Sequence, residues 1–321
     1  MRAMGLRIAG SGAHLPAKVV HNDQLASIMD TSDEWIRVRT GIRQRYQVEA
    51  GEYTSDLAIA AARQALVNAN LEAADIDGII CATATPDYTF PGVASMVQAA
   101  LGAKTGPCYD LQAVCAGFLY SLVQAAAWLK AEGSERILIV GAETISRLLN
   151  YEDRSTAVLF GDGAGAVVLE RVDDPEVGLL AASLHMDGGH IQELQCSGGV
   201  SRTGESGKIT MNGRAVYQLA VERVPQSIEA CLDEAGISAQ DIDWFVPHQA
   251  NRRIMDSIVK RFDLSPDSLV ATVDQHANTS AASIPLAFHH AVEDGRIQAG
   301  QTILFAAMGG GFGWGAAIFR L

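Results

Sequence analysis

Cys115 is the residue whose setting most clearly allows chemistry. A short apolar strand, predicted over 108–112, runs into a helical pattern that begins at Val114. At a helix N-terminus the free backbone N–H groups and the helix dipole favour a thiolate, the nucleophilic form of cysteine. The neighbours of Cys115 are small and leave room for a substrate. A single cysteine in such a place is also compatible with a buried, inert core residue.

Three further polar or glycine sites follow predicted strands in the second half of the chain. They are His248 after strand 244–246, Asn278 after strand 269–273, and the glycines 309–311 after strand 303–306. A glycine run exposes backbone N–H groups, as an oxyanion hole requires. Taken singly, each site has a structural interpretation: a turn histidine, a capping asparagine or a glycine bend. Four such sites at equivalent junctions are difficult to explain by packing alone.

The elements that would position these residues are duplicated along the chain. Segment 65–77 matches segment 231–243 at a constant offset. Strands alternate with helices in each half, which predicts an α/β fold of two duplicated units with mostly parallel sheets. We place the boundary in an acidic linker, giving an N-terminal half of residues 1–174 and a C-terminal half of residues 175–321. In such a fold, strand ends from both halves can face one crevice.

Composition argues against several classes of function. The chain has 321 residues, 48% of them hydrophobic, and a net charge of −13, so binding to nucleic acid or an anionic membrane is not expected. Its five cysteines are scattered, which predicts neither a disulfide framework nor a metal site. Segment 10–15 lacks the last glycine of a dinucleotide-binding fingerprint. The N-terminus has no apolar signal core, so we expect a cytoplasmic protein.

The most basic segment of this acidic chain is 35–45, where Trp35 is interleaved with four arginines. An aromatic ring among guanidinium groups suits the base and phosphates of a nucleotide. A solvated basic face with one buried tryptophan explains the segment equally well.

Together these segments resemble the beta-ketoacyl-acyl-carrier-protein synthase III family of thiolase-fold condensing enzymes. The matching segments extend over nearly the whole chain and are 31–45, 113–118, 160–166, 246–253, 278–283 and 309–315. The resemblance implies that Cys115 is the nucleophile and that His248 and Asn278 form the pair that promotes decarboxylation. It also implies an oxyanion hole made by the backbone N–H groups of Cys115 and Gly310.

The resemblance further implies substrates and partners. The residues implied to bind coenzyme A are Trp35, Arg39, Arg154, Asn251 and Arg253. Phe90 would reach into the acyl pocket of the other subunit of a homodimer. We also predict that the acidic carrier protein docks on the basic residues Arg253, Lys260 and Arg261. Acyl-CoA and malonyl carrier protein are substrates, and no cofactor or metal is implied.

The implied reaction is a decarboxylative Claisen condensation that starts fatty acid biosynthesis. The Cys115 thiolate takes an acyl group from acyl-CoA, with acetyl-CoA as the expected primer. Malonyl carrier protein then loses CO₂, and its enolate attacks the acyl-cysteine. Three residues depart from the family pattern: Ala277 replaces the usual glycine, and Arg214 and Gln218 stand where Asn and a carrier-contacting Lys are common.

Several alternative functions compete with this interpretation. A degradative thiolase would need a second cysteine within 306–308, and an elongating enzyme would carry histidine at position 278; the chain has neither. A related condensing enzyme or priming acyltransferase of secondary metabolism would keep the same three residues and stays open. Segment 113–117 also resembles a hydrolase nucleophile elbow without its first glycine, but a hydrolase predicts no internal repeat.

Overall fold

The computed structural model describes residues 5–131 and 133–321. Its strands are β1 (Gly5–His14), β2 (Lys18–His21), β3 (Gln44–Gln47), β4 (Gly78–Ala82), β5 (Cys108–Leu111), β6 (Arg136–Glu143), β7 (Gly163–Val172), β8 (Gly178–Met186), β9 (Leu194–Gly198), β10 (Ser206–Met211), β11 (Trp244–Pro247), β12 (Thr302–Gly309) and β13 (Gly313–Arg320). Its α-helices are α1 (Asn22–Ala26), α2 (Asp33–Thr40), α3 (Thr54–Ala69), α4 (Val93–Leu101), α5 (Gly117–Lys130), α6 (Arg154–Ala157), α7 (Gly213–Ala235), α8 (Arg252–Arg261), α9 (Val273–His276) and α10 (Ser283–Glu293). Short 3-10 turns connect several of them.

Two larger sheets carry the architecture. One has five strands in the order β1-β7-β6-β4-β5, and the other has four in the order β11-β12-β13-β8. Strand β4 pairs in parallel with β5 and β6, and β11 pairs in parallel with β12, whereas the remaining pairs in both sheets are antiparallel. The predicted α/β class is confirmed, but the sheets are mixed rather than mostly parallel.

A short connection late in the chain accounts for one of the antiparallel pairs, β12 with β13. Only residues 310–312 separate β12 from β13, too few for the crossover that a parallel pair needs. The chain therefore turns back on itself and the two strands pair antiparallel. The predicted boundary at 174/175 falls between the end of β7 and the start of β8, in the connection from the five-stranded to the four-stranded sheet. We retain the division into two halves as a prediction.

Apolar side chains of α5 and α10 are buried between the two sheets. Phe118 of α5 and Phe288 of α10 belong to a cluster that also contains Ile137 of the first sheet and Phe305 of the second. Helices α3 and α4 cover the other face of the five-stranded sheet, and α7 and α8 cover that of the four-stranded sheet. Among the described residues, none of the helices combines the length and apolar character needed to cross a bilayer.

The predicted strand 269–273 does not form. Only Leu269 pairs with the neighbouring strand, through an isolated bridge to Phe245, and the chain enters α9 at Val273. The buried side chain of Gln249 supplies the missing partner, since its Oε1 accepts the N–H groups of Thr272 and Val273 at 2.8 and 3.2 Å. A side chain thus takes the place of a strand neighbour next to His248.

Candidate active site

A cavity of about 570 Å³ brings most of the predicted site residues together. Its lining includes Trp35, Arg39, Cys115, His248, Asn251, Arg253 and Asn278. A second cavity of about 450 Å³ also reaches Cys115 and is lined by Gly310, Ser280 and a group of apolar side chains. The two cavities share Cys115, Phe160 and Leu194, so the cysteine lies where they meet.

Cys115 lies in the 3-10 turn Val114–Ala116, between the end of β5 and the start of α5. The turn is held tightly: Val114 has a left-handed φ of 47°, and a Cβ added to Gly309 would lie 2.8 Å from the Cys115 nitrogen. Burial raises the pKa of the Cys115 thiol to about 12. The expected position at the start of a helix is observed, but the resting thiol is protonated rather than a thiolate. Its proton must leave during acyl transfer.

His248 follows β11 and is held by Ser283. The Ser283 Oγ lies 2.6 Å from His248 Nδ1 and accepts the Gln249 N–H at 3.3 Å. Among the described residues Nδ1 is the acceptor within reach of the Ser283 hydroxyl hydrogen, so we assign that hydrogen to Nδ1, which leaves the imidazole proton on Nε2. Burial lowers the pKa of His248 to about 3. The ring is therefore neutral and offers the N–H of Nε2 as a hydrogen-bond donor.

Asn278 is also oriented as a donor. Its Oδ1 accepts the Ser280 backbone N–H at 2.8 Å, so the amide nitrogen is the group left for a ligand. Its backbone is tied to the loop before β7, since Asn278 N–H donates to Leu159 O at 2.9 Å and Gly161 N–H donates to Asn278 O at 3.0 Å. His276, two residues earlier, packs its ring against Tyr46 and His290 and is absent from the lining of both cavities.

The residues predicted to bind coenzyme A cluster around Trp35. The guanidinium carbons of Arg39 and Arg154 lie 4.5 and 4.9 Å from the centroid of its ring. Arg154 does not line the cavity itself, and it binds the backbone and carboxylate of Asp30. Asn251 caps α8 and donates to Arg39 O at 3.1 Å, which joins the start of that helix to α2.

Besides Arg154, three predicted residues line neither of these cavities. Phe90 is 83% exposed on the loop after β4 and lines neither cavity of its own chain. Lys260 and Arg261 stand at the last turn of α8, about 10 Å along the helix from Arg253. Arg261 pairs with Glu229 at 2.9 Å, so its charge is partly neutralised.

The sequence interpretation gave no role to Ser283, Gln249, Ser280 or Glu143, which hold the site in place. Ser283 and Ser280 lie inside a segment that was recognised, but their partners are far away in the sequence. The signal for Glu143 was a lone acidic residue closing the apolar run 137–142. Burying a carboxylate is costly unless hydrogen bonds or an ion pair compensate it, so an acidic residue at the end of an apolar strand indicates such partners.

Comparison with known proteins identifies the family of the chain. The family profiles described as 3-Oxoacyl-[acyl-carrier-protein (ACP)] synthase III and its C-terminal region match residues 109–188 and 232–321. Beta-ketoacyl-[acyl-carrier-protein] synthase III of Erythrobacter litoralis is 54% identical over 315 residues, which cover 98% of each chain.

Solved structures show the same relationship. The 3-oxoacyl-[acyl-carrier-protein] synthase III of Aquifex aeolicus has a TM-score of 0.94 and 39% identity, covering 99% of this chain and 100% of that one. A priming beta-ketosynthase of a polyketide pathway has a TM-score of 0.92 and 33% identity, covering 98% and 96%. The thiolase-like fold is thereby confirmed. The chain belongs to the beta-ketoacyl-[acyl-carrier-protein] synthase III family of condensing enzymes.

Proposed function

We propose that the protein condenses the acyl group of an acyl-CoA primer, with acetyl-CoA as the expected one, with malonyl carrier protein. The product is a β-ketoacyl carrier protein, and the reaction starts fatty acid biosynthesis. One observation carries the proposal: Cys115 shares a cavity with His248 and Asn278, whose outer hydrogen bonds leave both with an N–H donor for a ligand. A nucleophile facing two fixed donors suits formation of an acyl-enzyme followed by stabilisation of an enolate.

In the first stage the Cys115 sulfur attacks the thioester carbonyl of acyl-CoA. The negative charge that develops on the carbonyl oxygen is assigned to the backbone N–H groups of Cys115 and Gly310. Gly309 allows this approach, because any side chain there would collide with the Cys115 backbone. Collapse of the tetrahedral intermediate releases coenzyme A and leaves the acyl group on sulfur.

In the second stage the malonyl thioester enters the same cavity. Its carbonyl oxygen accepts hydrogen bonds from His248 Nε2 and Asn278 Nδ2, and loss of CO₂ places negative charge on that oxygen. The enolate carbon then attacks the carbonyl carbon of the acyl-cysteine, and the carbon–sulfur bond breaks. The Cys115 sulfur leaves as a thiolate, which takes up one proton from solvent to restore the thiol. Neutral donors suffice here, and burial keeps the pKa of His248 low enough that the ring stays neutral. Thiols, thioesters and hydrogen-bond donors carry out every step, so we propose no cofactor or metal.

Coenzyme A and the carrier protein would approach from the mouth of the larger cavity. Trp35 with its two guanidinium neighbours offers an aromatic face beside positive charge, which suits an adenine and its phosphates. Arg253 is the basic residue common to this mouth and to the predicted carrier surface on α8. Localisation in the cytoplasm remains a prediction.

We propose a homodimer as the working form. Strand β5 is the edge of the five-stranded sheet, and Tyr109 on it is exposed, as are Tyr88 and Phe90 on the loop after β4. An uncovered strand edge next to exposed aromatic rings suits a second copy of the chain. Sedimentation should show a dimer at micromolar concentration, and Phe90→Ala should change the preferred acyl chain without preventing acylation. A monomeric, active enzyme contradicts this proposal.

A second candidate is a condensing enzyme that primes another pathway with a longer acyl group. It is favoured by the smaller cavity, whose apolar lining includes Ile145, Leu148, Ile191 and Ile209. One experiment tests both candidates: intact mass of the protein after incubation with a panel of acyl-CoAs, followed by addition of malonyl carrier protein. The proposed function predicts an acetyl adduct that turns into a β-ketoacyl product. Adducts only with longer chains favour the second candidate, and the absence of any adduct on Cys115 contradicts both.

A further inference from the structure

Glu143 is a buried carboxylate beside the nucleophile that the mechanism so far leaves unused. It ends β6, has no exposed surface, and makes no ion pair with any of the described residues. Its Oε2 accepts hydrogen bonds from Thr83 Oγ1 at 3.3 Å, Ala84 N at 3.0 Å and Thr85 Oγ1 at 2.7 Å, and its Oε1 accepts one from Ser280 Oγ at 2.9 Å. Because hydrogen-bond donors stabilise the ionised carboxylate and no cation fixes its charge, Glu143 can exist in both the ionised and the protonated form.

Ser280 connects this carboxylate to the reacting sulfur. It lines the smaller cavity together with Cys115, so its hydroxyl and the thiol face the same space. A serine hydroxyl has one hydrogen, and Ser280 directs it to Glu143. The lone pairs of its oxygen are therefore what it offers to the Cys115 S–H. Both Ser280 and Val114, which precedes the cysteine, have a left-handed φ, at 51° and 47°. Backbone strain of this kind concentrates at functional sites.

We propose that Glu143, acting through Ser280, takes up the proton of Cys115 during acyl transfer. As the sulfur forms its bond to the acyl carbonyl carbon, its proton moves to Ser280 Oγ and the Ser280 proton moves to Glu143 Oε1. When the bond to coenzyme A breaks, the same path returns the proton to the departing thiolate. The step is balanced, because the proton that leaves the Cys115 thiol is held by the carboxylate and then transferred to the coenzyme A thiolate. The inference rests on the proposed function.

His248 is the competing proton acceptor, and the structure disfavours it. Its Nδ1 is bound to Ser283, its Nε2 carries the proton, and burial lowers its pKa to about 3. Burial raises the pKa of Glu143 to about 7, close to the pH at which a general base works best. The titratable groups that face Glu143 are Cys115 in the 3-10 turn and Cys81 in β4, and burial raises the thiol pKa of both. Acylation should therefore accelerate as pH rises through about 7, when Glu143 loses its own proton.

The test measures the rate at which acetyl-CoA acylates Cys115 between about pH 5.5 and pH 9, by quenched single turnovers and intact mass. In Glu143→Gln the rate should fall by about 10²–10⁴, the usual value of a general base, and its rise near pH 7 should disappear. Decarboxylation of malonyl-CoA, which depends on the other donors, should stay within a few-fold of wild type. Ser280→Ala should show the same pattern, because its backbone N–H still holds Asn278.

Asp162→Asn is the matched control. Asp162 is another buried carboxylate bound by a serine, Ser146, and it should lose thermal stability while the pH profile of acylation stays unchanged. Two outcomes overturn the inference: a rise near pH 7 that survives in Glu143→Gln, or equal losses in acylation and decarboxylation, which indicate a structural role alone. If Glu143→Gln does not fold, Ser280→Ala decides by the same two criteria. Failure of the wild type to gain an acyl mass refutes the proposed function itself, which keeps the two failures distinct.

Discussion

Replacing Ala277 by glycine should relieve strain beside Asn278. Ala277 has φ 59° and ψ −157°, a region of backbone conformation that is essentially restricted to glycine. A residue with a side chain held there stores on the order of 1–3 kcal/mol. The sequence showed that this position departs from the glycine usual in the family, and the backbone gives the departure its physical meaning.

The magnitude follows from comparison with Ala125, a fully buried alanine in the middle of α5. Ala125→Gly should lower the free energy of unfolding by roughly 2 kcal/mol, about 1 for helix propensity and about 0.8 for the lost buried carbon. Ala277→Gly loses a similar methyl group and gains similar freedom in the unfolded chain. Relief of strain offsets these losses, so its net effect should lie within about 1 kcal/mol of zero.

Urea unfolding of the two variants measures the difference directly, and thermal unfolding gives a second reading. At the average entropy of unfolding per residue, 1 kcal/mol corresponds to about 1.5 °C for a chain of this length. Ala277→Gly should be more stable than Ala125→Gly by about 1–3 kcal/mol. Equal losses of roughly 2 kcal/mol in both variants would show that the backbone at 277 is not strained.

Three further outcomes follow from the site. Ser283→Ala should slow malonyl decarboxylation about tenfold, the value of one hydrogen bond, because His248 loses the partner that sets its tautomer. Acylation of Cys115 should keep its wild-type rate, and an equal loss of rate in both half-reactions would exclude this role. Malonyl decarboxylation by Cys115→Ala should be constant from pH 8 down to pH 5, since the lowered pKa keeps His248 neutral throughout; a loss near pH 6.5 would contradict that pKa. Lys260→Glu should raise the KM for malonyl carrier protein, and the increase should be larger at low salt. Arg261→Glu should change the KM less, because Arg261 is already paired with Glu229. A KM that neither variant nor salt affects would exclude α8 as the docking surface for the carrier protein.

Local features of the sequence were enough to locate Cys115 and His248, two of the residues to which we assign the chemistry. Cys115 was located because an apolar strand changes to a helical period beside it, and His248 because it follows a buried strand. Such transitions depend on neighbours within a few residues, which a sequence displays directly. The meeting of these strand ends in one cavity was predicted from the duplication and is observed.

Features that depend on distant partners could not be predicted in this way. The segment 269–273 has the apolar pattern of a strand, but Gln249 captures its N–H groups from more than twenty residues away. The tautomer of His248 depends on Ser283, and the burial of Glu143 depends on donors near residue 83 and residue 280. The protonated state of Cys115 arises from how completely the folded chain encloses it. None of these partners is marked by spacing or composition.

The half-reactions of three variants test the central assignment most directly. Cys115→Ala, His248→Ala and Asn278→Ala are each assayed for acyl-enzyme mass with acetyl-CoA and for labelled CO₂ from malonyl carrier protein. Cys115→Ala should gain no acyl mass and still release CO₂, because both donors remain. The other two should gain the acyl mass on Cys115 and release little CO₂, with losses of about 10²–10³ for each missing donor. Collapse of acylation in His248→Ala while CO₂ release survives would contradict the assigned roles.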